Sequence, residues 1–347
     1  MYKLAEINWK KIALVDLLTE ENKIFSDLVS KTIRKYSKLW KKILFITNRK
    51  WYASSFLCQD CWYIPKCTHC DVPISKYVIK KENQEKFIYM CSICHKIYPD
   101  KIKCEKCWGY NIKEIWIWTY KLRDLLKENF GIDSFVVENT DVNSISKIKN
   151  LEKELQKQKY VISTNILSFP SDSFIPDIII FPNADTGLWI PDFNVGEKHF
   201  MQMYEIIKNY PTKNFIIQTF NFDHYVYQNL LKLDINWFWQ QELKFRKMLK
   251  YPPFSELAVI MYKNQVEEKV YLKISKLESE LRYLAEKNDT DIEIYPTPQL
   301  VFKKFWKYHY NIILKWKNLK SFLDKAVTLL KIKQKWFQVD WLPNNLI

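Results

Sequence analysis

Eight cysteines fall into four Cys-x-x-Cys pairs, Cys58/Cys61, Cys67/Cys70, Cys91/Cys94 and Cys104/Cys107, and none lies elsewhere. A pair of thiolates on such a turn supplies two corners of a zinc tetrahedron, so four pairs make two closed four-cysteine sites. With every position taken by sulfur, neither zinc can hold a reacting water, and both would be structural. Three groupings of the pairs are possible. The 20 residues between Cys70 and Cys91 match zinc-ribbon spacing. That joins Cys67, Cys70, Cys91 and Cys94 in one site and leaves Cys58, Cys61, Cys104 and Cys107 for the other. Trp62 and Trp108 follow the second cysteine in pairs one and four only, which suits two matching knuckles of a single site. The opening MYKLAEINWKK has no apolar secretion core, which argues against disulfides. Thiol exchange would need one reactive pair, not four clustered ones. His69 and His95 adjoin ligands but are surplus to eight thiolates.

The rest of the chain must hold this module. Residues 1–48 read as strand, helix, strand, with apolar runs at Ile12–Leu18 and Ile43–Thr47 flanking helical spacing at Leu28, Val29, Ile33 and Tyr36. After the cysteines, a helix begins near Thr119. Strands follow at Phe135–Val137, Tyr160–Ser163, Ile178–Phe181 and Phe215–Gln218, with helices between, one of them around His199–Ile207. Strands alternating with helices imply a mainly parallel α/β sheet. Beyond Tyr251-Pro252-Pro253-Phe254 the order becomes βαββαβ, a ferredoxin-like α+β arrangement. The expected division is a split α/β domain at 1–50 and 116–240, a zinc module at 51–115, and a C-terminal domain at 241–347.

A formal charge of +15 points to a polyanionic partner, nucleic acid first among them. Eight zinc-bound thiolates and two zinc ions would reduce it to about +11. Lysines such as those of Lys149–Lys159 also read as solvated helix surface. The densest cationic and aromatic stretch is Phe302–Trp316, where Lys303, Lys304, Lys307, Tyr308, Tyr310 and Lys315 could track phosphates and stack on bases. The bland alternative is a half-buried strand on which Tyr308, Tyr310, Ile312 and Leu314 alternate. No run of 18 apolar residues is present, so a cytoplasmic protein is the expectation.

Glycine and tryptophan counts are abnormal. Four Gly against 14 Trp in 347 residues contrasts with a usual glycine content of about 7%. Trp62 and Trp108 stand where a knuckle commonly needs φ > 0. Trp9, Trp51, Trp116 and Trp118 stand at turn-like positions. These are the marks of UGA codons read as glycine in the source and written here as tryptophan. A chain that evolved glycine at Trp62 and Trp108 should have positive φ there, with Trp9, Trp51 and Trp306 exposed in turns. Trp239 and Trp341, without glycine-like surroundings, should be comparatively buried. A true Trp-rich aromatic surface is the alternative.

The chain resembles the primosomal protein N′ family, ATP-dependent 3'-5' DNA helicases that restart stalled replication forks. The resemblance is carried by Thr47-Asn48-Arg49-Lys50-Trp51-Tyr52-Ala53, the cysteine module, Ala184-Asp185-Thr186-Gly187-Leu188 and Pro191-Asp192-Phe193. Gln218-Thr219, Asp223-His224-Tyr225 and Tyr251-Pro252-Pro253-Phe254 add to it. Where that family has glycine, this chain has Trp51, Trp62, Trp108, Trp116, Trp118 and Trp306. The resemblance implies a RecA-like second helicase lobe with an inserted double zinc module, followed by a C-terminal DNA-binding domain.

Two departures concern nucleotide chemistry. The sequence contains no Gly-x-x-x-x-Gly-Lys-Ser/Thr loop and no acidic Mg²⁺ motif, which hydrolysis requires. The family's arginine motif should fall between Gln202 and Phe215, but Met203–Asn214 has no arginine. ATP is therefore not expected as a cofactor of this chain alone, and no catalytic residue is assigned. The implied partners are single-stranded or forked DNA, other primosome proteins and single-stranded DNA-binding protein; the chain is either a fragment or one product of a split gene, completed then by a separate polypeptide carrying the motor lobe. A non-enzymatic primosome scaffold and a helicase cut by a reading-frame assignment are the competing readings.

Overall fold

The computed structural model describes the chain except residues 48–55, 59, 62, 64, 66, 69–73, 82–83, 92–95, 100–102, 115–118, 138–144, 164–172, 189–191, 333–336 and 344–347. The first elements are β1 (Tyr2–Ile7), β2 (Lys10–Asp16), α1 (Asp27–Lys38) and β3 (Ile43–Ile46). The cysteine module contributes β4 (Phe56–Cys58), β5 (Ile74–Lys81), β6 (Gln84–Cys91), β7 (Ile97–Tyr98) and β8 (Ile112–Glu114). Then come α2 (Thr119–Phe130), β9 (Phe135–Val137), α3 (Ile145–Lys157), β10 (Tyr160–Ser163), β11 (Ile178–Phe181), α4 (Val195–Asn209) and β12 (Asn214–Thr219). Helices α5 (Tyr225–Leu230) and α6 (Ile235–Met248) lead to β13 (Glu256–Asn264), α7 (Glu267–Lys287), β14 (Glu293–Lys304), β15 (Lys307–Trp316), α8 (Leu319–Leu329) and β16 (Gln338–Trp341).

Two compact units result. One comprises Met1–Trp51, Ile117–Ile190 and Val195–Gln241; the other comprises Tyr52–Trp116, Pro191–Asn194 and Glu242–Ile347. The cysteine module thus falls in the same unit as the C-terminal residues.

The first unit is built on a seven-stranded sheet in the order β1-β2-β12-β11-β3-β10-β9. Every pairing is parallel except β1 with β2. Central strands covered on both faces read as continuous apolar runs. Accordingly Ile43–Ile46 and Ile178–Phe181 are buried at every position. The sequence gives no sign of β1. It is an exposed edge whose Tyr2 and Leu4 lie largely in solvent, so no buried period marks it. Its hairpin to β2 turns on Asn8 and Trp9, with φ of 46° and 64°.

Gln218, at the end of β12, shows what one of the family-like positions does. Its Nε2 donates to the carbonyls of Ile24 and Pro182, and its Oε1 accepts from the Ser26 backbone N–H. Ser26 in turn caps α1, its Oγ accepting from Val29 N–H at 3.3 Å. One buried amide therefore ties the start of a helix to two strand ends, satisfying backbone groups that burial would otherwise leave unpaired.

The C-terminal part of the second unit has the four-stranded order β14-β15-β13-β16, antiparallel throughout. Helices α7 and α8 cover one face, where Ala258, Ile260, Ile294, Ile312 and Leu314 meet Ile274, Leu277, Leu281, Phe322 and Leu323. The alternate residues Leu257 and Val259 pack instead with Phe193, Tyr251, Met261 and Ile313. That second apolar layer explains why β13 is buried on both faces. Phe193 stacks on Tyr251 with ring centroids 5.5 Å apart, and the Arg246 guanidinium lies 5.7 Å from the Phe193 ring centroid. Arg246 also makes a buried pair with Glu242 at 2.8 Å.

Candidate metal centre and nucleic-acid face

The first cysteine pair meets the fourth. Cys58, Cys61, Cys104 and Cys107 place their sulfurs within 4.8 Å of one another. Cys58 Sγ is 3.4 Å from Cys107 Sγ, and Cys61 Sγ is 3.5 Å from Cys104 Sγ. Zn–S bonds of about 2.3 Å put tetrahedral sulfurs roughly 3.8 Å apart, so the four thiols fit zinc in number, type and spacing. Backbone pairing of β4 with β8, Cys58 opposite Ile112, brings the two knuckles together.

Each knuckle closes in the same way. Cys58 N–H donates to Tyr63 carbonyl and Cys104 N–H to Gly109 carbonyl, both at 2.9 Å. A Cβ on Gly109 would lie 2.8 Å from Asp60 Oδ2 and 3.4 Å from Cys107 Sγ, so a larger residue there would displace the Asp60 carboxylate. Asn111 Nδ2 donates to Asp60 Oδ1 at 2.8 Å, linking the halves again.

The thiols differ electrostatically before any metal is considered. Burial opposes ionisation of Cys104, but backbone N–H groups of Cys107 and Lys106 outweigh it and bring the thiol down to about 7. At Cys107 the Gly109 N–H likewise lowers the thiol, but the neighbouring sulfurs, Cys58 first, together with burial outweigh it and push Cys107 up to about 12. A bound zinc would hold all four as thiolates. Cys58 and Cys104 are buried and Cys107 is exposed, so the site opens to solvent on one side.

Of the second expected site, Cys67 is buried. Cys91 ends β6 opposite Ile74. Cys70 and Cys94 lie outside the described residues, as do His69 and His95.

On the expected nucleic-acid stretch the structure divides the residues. Lys307 is exposed beside the β14–β15 turn, where Phe305 and Trp306 stand out with φ of 49° and 63°. Lys303 Nζ lies 5.8 Å from the Trp306 ring centroid and 5.2 Å from that of Tyr308. It also donates to the Thr68 carbonyl of the cysteine module at 3.2 Å. Lys304 ends β14, and its side chain is outside the described set.

Tyr308 and Tyr310 depart from the expectation of open stacking faces. They are half-buried on the face covered by α7 and α8, where Tyr310 meets Tyr271 edge-on at 5.6 Å. Lys315 departs further. It is only 8% exposed, donates to the Leu249 carbonyl and pairs with Glu293 at 2.9 Å. Burial disfavours ionised Glu293, but Lys250, Lys315 and Tyr295 outweigh that and hold it down at about 2. Period-2 alternation marks these residues correctly as strand but does not reveal that both faces are occupied.

A buried polar cluster that sequence reasoning missed lies in the first unit. Asp185 is fully buried and accepts from Thr219 Oγ1 and Phe220 N–H, both at 2.6 Å, and from Tyr227 hydroxyl at 3.0 Å. Tyr227 hydroxyl is 3.3 Å from His199 Nε2. A Cβ on Gly187 would fall 2.1 Å from His199 Nδ1, so Gly187 is needed for the ring to fit. Burial, helped by His224 and opposed by Asp185, pushes His199 down to about 4.

Among the described residues, a crevice at the ends of β3 and β11 is lined by Ile46, Thr47, Asn183, His199, Gln202 and further apolar side chains, with no lysine or arginine. In the region where the resemblance places an arginine motif, Lys10 Nζ instead donates to the Tyr210 and Thr212 carbonyls. Thr212 Oγ1 donates to Pro176 carbonyl at 2.7 Å.

Several known proteins similar to the chain share one name. Replication restart protein PriA of Borreliella burgdorferi is 27% identical across 99% of this chain and 52% of its own length. The same protein of Bacillus subtilis is 24% identical across 96% and 43%, and that of Thermotoga maritima 22% across 92% and 43%. The chain is a relative of the replication restart proteins. It spans about half the length of the curated relatives it matches. No protein-family model matches it. Among the described residues, no helix is long and apolar enough to cross a membrane.

Proposed function

We propose that the chain is the zinc-bearing, DNA-binding portion of a replication restart helicase, acting in fork recognition and primosome assembly. The observation that carries this is a set of relatives of one name, one of them aligned with 99% of the chain at 27% identity, joined to a four-sulfur cluster whose spacing suits zinc. Under this reading the parallel sheet is a RecA-like second helicase lobe, and the antiparallel βαββαβ order is a ferredoxin-like DNA-binding domain. Two structural zinc ions are held, one by Cys58, Cys61, Cys104 and Cys107, the other by Cys67, Cys70, Cys91 and Cys94. The partners are single-stranded or forked DNA, primosome proteins, single-stranded DNA-binding protein and a motor lobe on another polypeptide, all in the cytoplasm.

The cationic β14–β15 turn supports DNA binding through Lys303, Lys304 and Lys307. With Lys315 neutralised by Glu293 and the two tyrosines against the helices, the turn engages backbone phosphate more than stacked bases. The same internal use of Tyr308, Tyr310 and Lys315 favours the competing scaffold reading, so one assay must separate the two. Fluorescence anisotropy with single-stranded and forked oligonucleotides at several salt concentrations does so. The triple variant K303Q/K304Q/K307Q should bind more weakly, its salt slope lowered by about 0.7 for each single-strand phosphate that is no longer neutralised. Binding and slope unchanged in the variant would remove this surface. No binding by the parent chain would leave the scaffold.

A further inference from the structure

Eight of the tryptophans are described, and they fall into two groups of four. Trp9, Trp40, Trp108 and Trp306 have φ of 64°, 57°, 62° and 63°. Trp237, Trp239, Trp316 and Trp341 sit within α6, β15 and β16 and have no positive φ. Trp51, Trp62, Trp116, Trp118, Trp189 and Trp336 lie outside the described residues. From the division of the eight we infer that the polypeptide made in its native cells carries glycine, not tryptophan, at positions 9, 40, 108 and 306. Position 40 is singled out by its backbone alone, and the inference is independent of the proposed function.

Each of the four occupies a backbone niche that glycine fills for a stated reason. Between β1 and β2 the loop has two residues, with Ile7 paired to Lys10 and positive φ at both Asn8 and Trp9. A hairpin loop with both central residues left-handed matches the strand twist and takes Asn-Gly by preference. The β14–β15 loop repeats this form, with Lys304 paired to Lys307 and Phe305-Trp306 left-handed.

Trp40 follows the C-cap of α1. Lys41 N–H bonds to Tyr36 carbonyl and Trp40 N–H to Ser37 carbonyl. Those two bonds define a Schellman ending, whose left-handed residue is usually glycine. Trp108 follows Cys107 in a knuckle, its N–H bonded to Cys104 carbonyl at 2.9 Å. In each case a Cβ crowds the neighbouring carbonyl, a repulsion that glycine lacks.

The rings of these four residues gain little that would offset the backbone cost. They are 52%, 75%, 66% and 57% exposed, whereas Trp239, Trp316 and Trp341 pack against the two cores. Lysine ammonium groups lie near the four exposed rings, but a cation over a solvated ring is held only weakly. A tryptophan kept by selection earns its place through buried area or stacking. Four glycine niches each filled by an exposed indole, in a chain with four glycines, fit a codon read as glycine at home and as tryptophan here.

Mass spectrometry of peptides from the protein in its native cells tests this directly. Glycine is expected at 9, 40, 108 and 306, with tryptophan at 239 and 341. Tryptophan at the first four would overturn the inference. Thermal unfolding of the chain made both ways gives a second measure. Trp→Gly at 9, 40, 108 and 306 should each raise the midpoint by about 2–4 °C, while Trp239→Gly and Trp341→Gly should lower it. A quadruple variant no more stable than the tryptophan chain would equally sink the inference.

Discussion

His199 illustrates how a residue chosen for packing acquires a pH signature. Its ring is buried against Gly187 and Tyr227, and protonation is pushed down to about 4. In the unfolded chain the imidazole takes its proton near 6.5. Below that pH the unfolded state binds a proton that the fold refuses. The stabilising contribution of neutral His199 is therefore present above 6.5, falls as the pH drops, and is wholly lost below about 4. The full loss is roughly 3 kcal/mol. We expect the urea midpoint of the parent chain to fall more steeply between pH 7 and pH 4.5 than that of His199→Gln, which cannot titrate. Parallel pH profiles for the two would show that acid sensitivity arises elsewhere. The Asp185 carboxylate accepts from three donors, Thr219, Phe220 and Tyr227. Asp185 and Thr219, both among the family-like positions, are thus joined in the buried hydrogen bonding of this unit.

At the scale of elements, two short strands and two knuckles depend on four sulfurs. The β4–β8 pair spans three residues a side, too few for independent stability in water. On the proposed reading a bound zinc would supply most of what holds the knuckles closed, as in small metal-dependent domains. Two zinc ions per chain are expected by elemental analysis of the purified protein, and one after Cys58→Ser. Cys67→Ser should remove the other independently. A Cys58→Ser chain retaining both ions would refute the pairing of Cys58 and Cys61 with Cys104 and Cys107.

How much of this was legible in the sequence varied with the kind of element. The buried parallel strands announced themselves as apolar runs at Ile43, Ile178 and Phe215, and α7 and α8 by their helical spacing. The edge strand β1 did not, because its side chains face water and carry no period. The β5–β6 hairpin was hidden among cysteine turns that broke any pattern. Left-handed φ at Leu233 ends α5 and separates it from α6 without a glycine or proline to mark the break. The meeting of Cys58 and Cys61 with Cys104 and Cys107 was legible from spacing, since four pairs leave only three groupings. The occupied second face of β15 was not, because Phe193 and Tyr251 reach it from distant parts of the sequence.

For the whole molecule, the question is whether this chain can turn over ATP. Hydrolysis needs a backbone cradle, a phosphate-binding lysine, metal ligands and charge stabilisation of the transferring phosphoryl group. The sequence has no phosphate loop, and the chain spans about half of the relatives it matches. In the first unit the crevice at the ends of β3 and β11 has no lysine or arginine among the described residues that line it. Within the stretch between Gln202 and Phe215, where the resemblance places an arginine motif, the Tyr210 and Thr212 carbonyls are capped by buried Lys10. Burial pushes Lys10 down to about 8, a sign of how closely that lysine is enclosed. It faces carbonyl oxygens, and releasing it toward a phosphate would leave those acceptors unpaired inside the fold. Purified chain with single-stranded or forked DNA should therefore release phosphate no faster than buffer. Lys10→Met should leave that background unchanged while lowering thermal stability. A DNA-stimulated turnover that persists through repurification and co-elutes with the chain would overturn the expectation. Turnover appearing only when a second polypeptide carrying a phosphate loop is added would instead place this chain as one half of a divided motor.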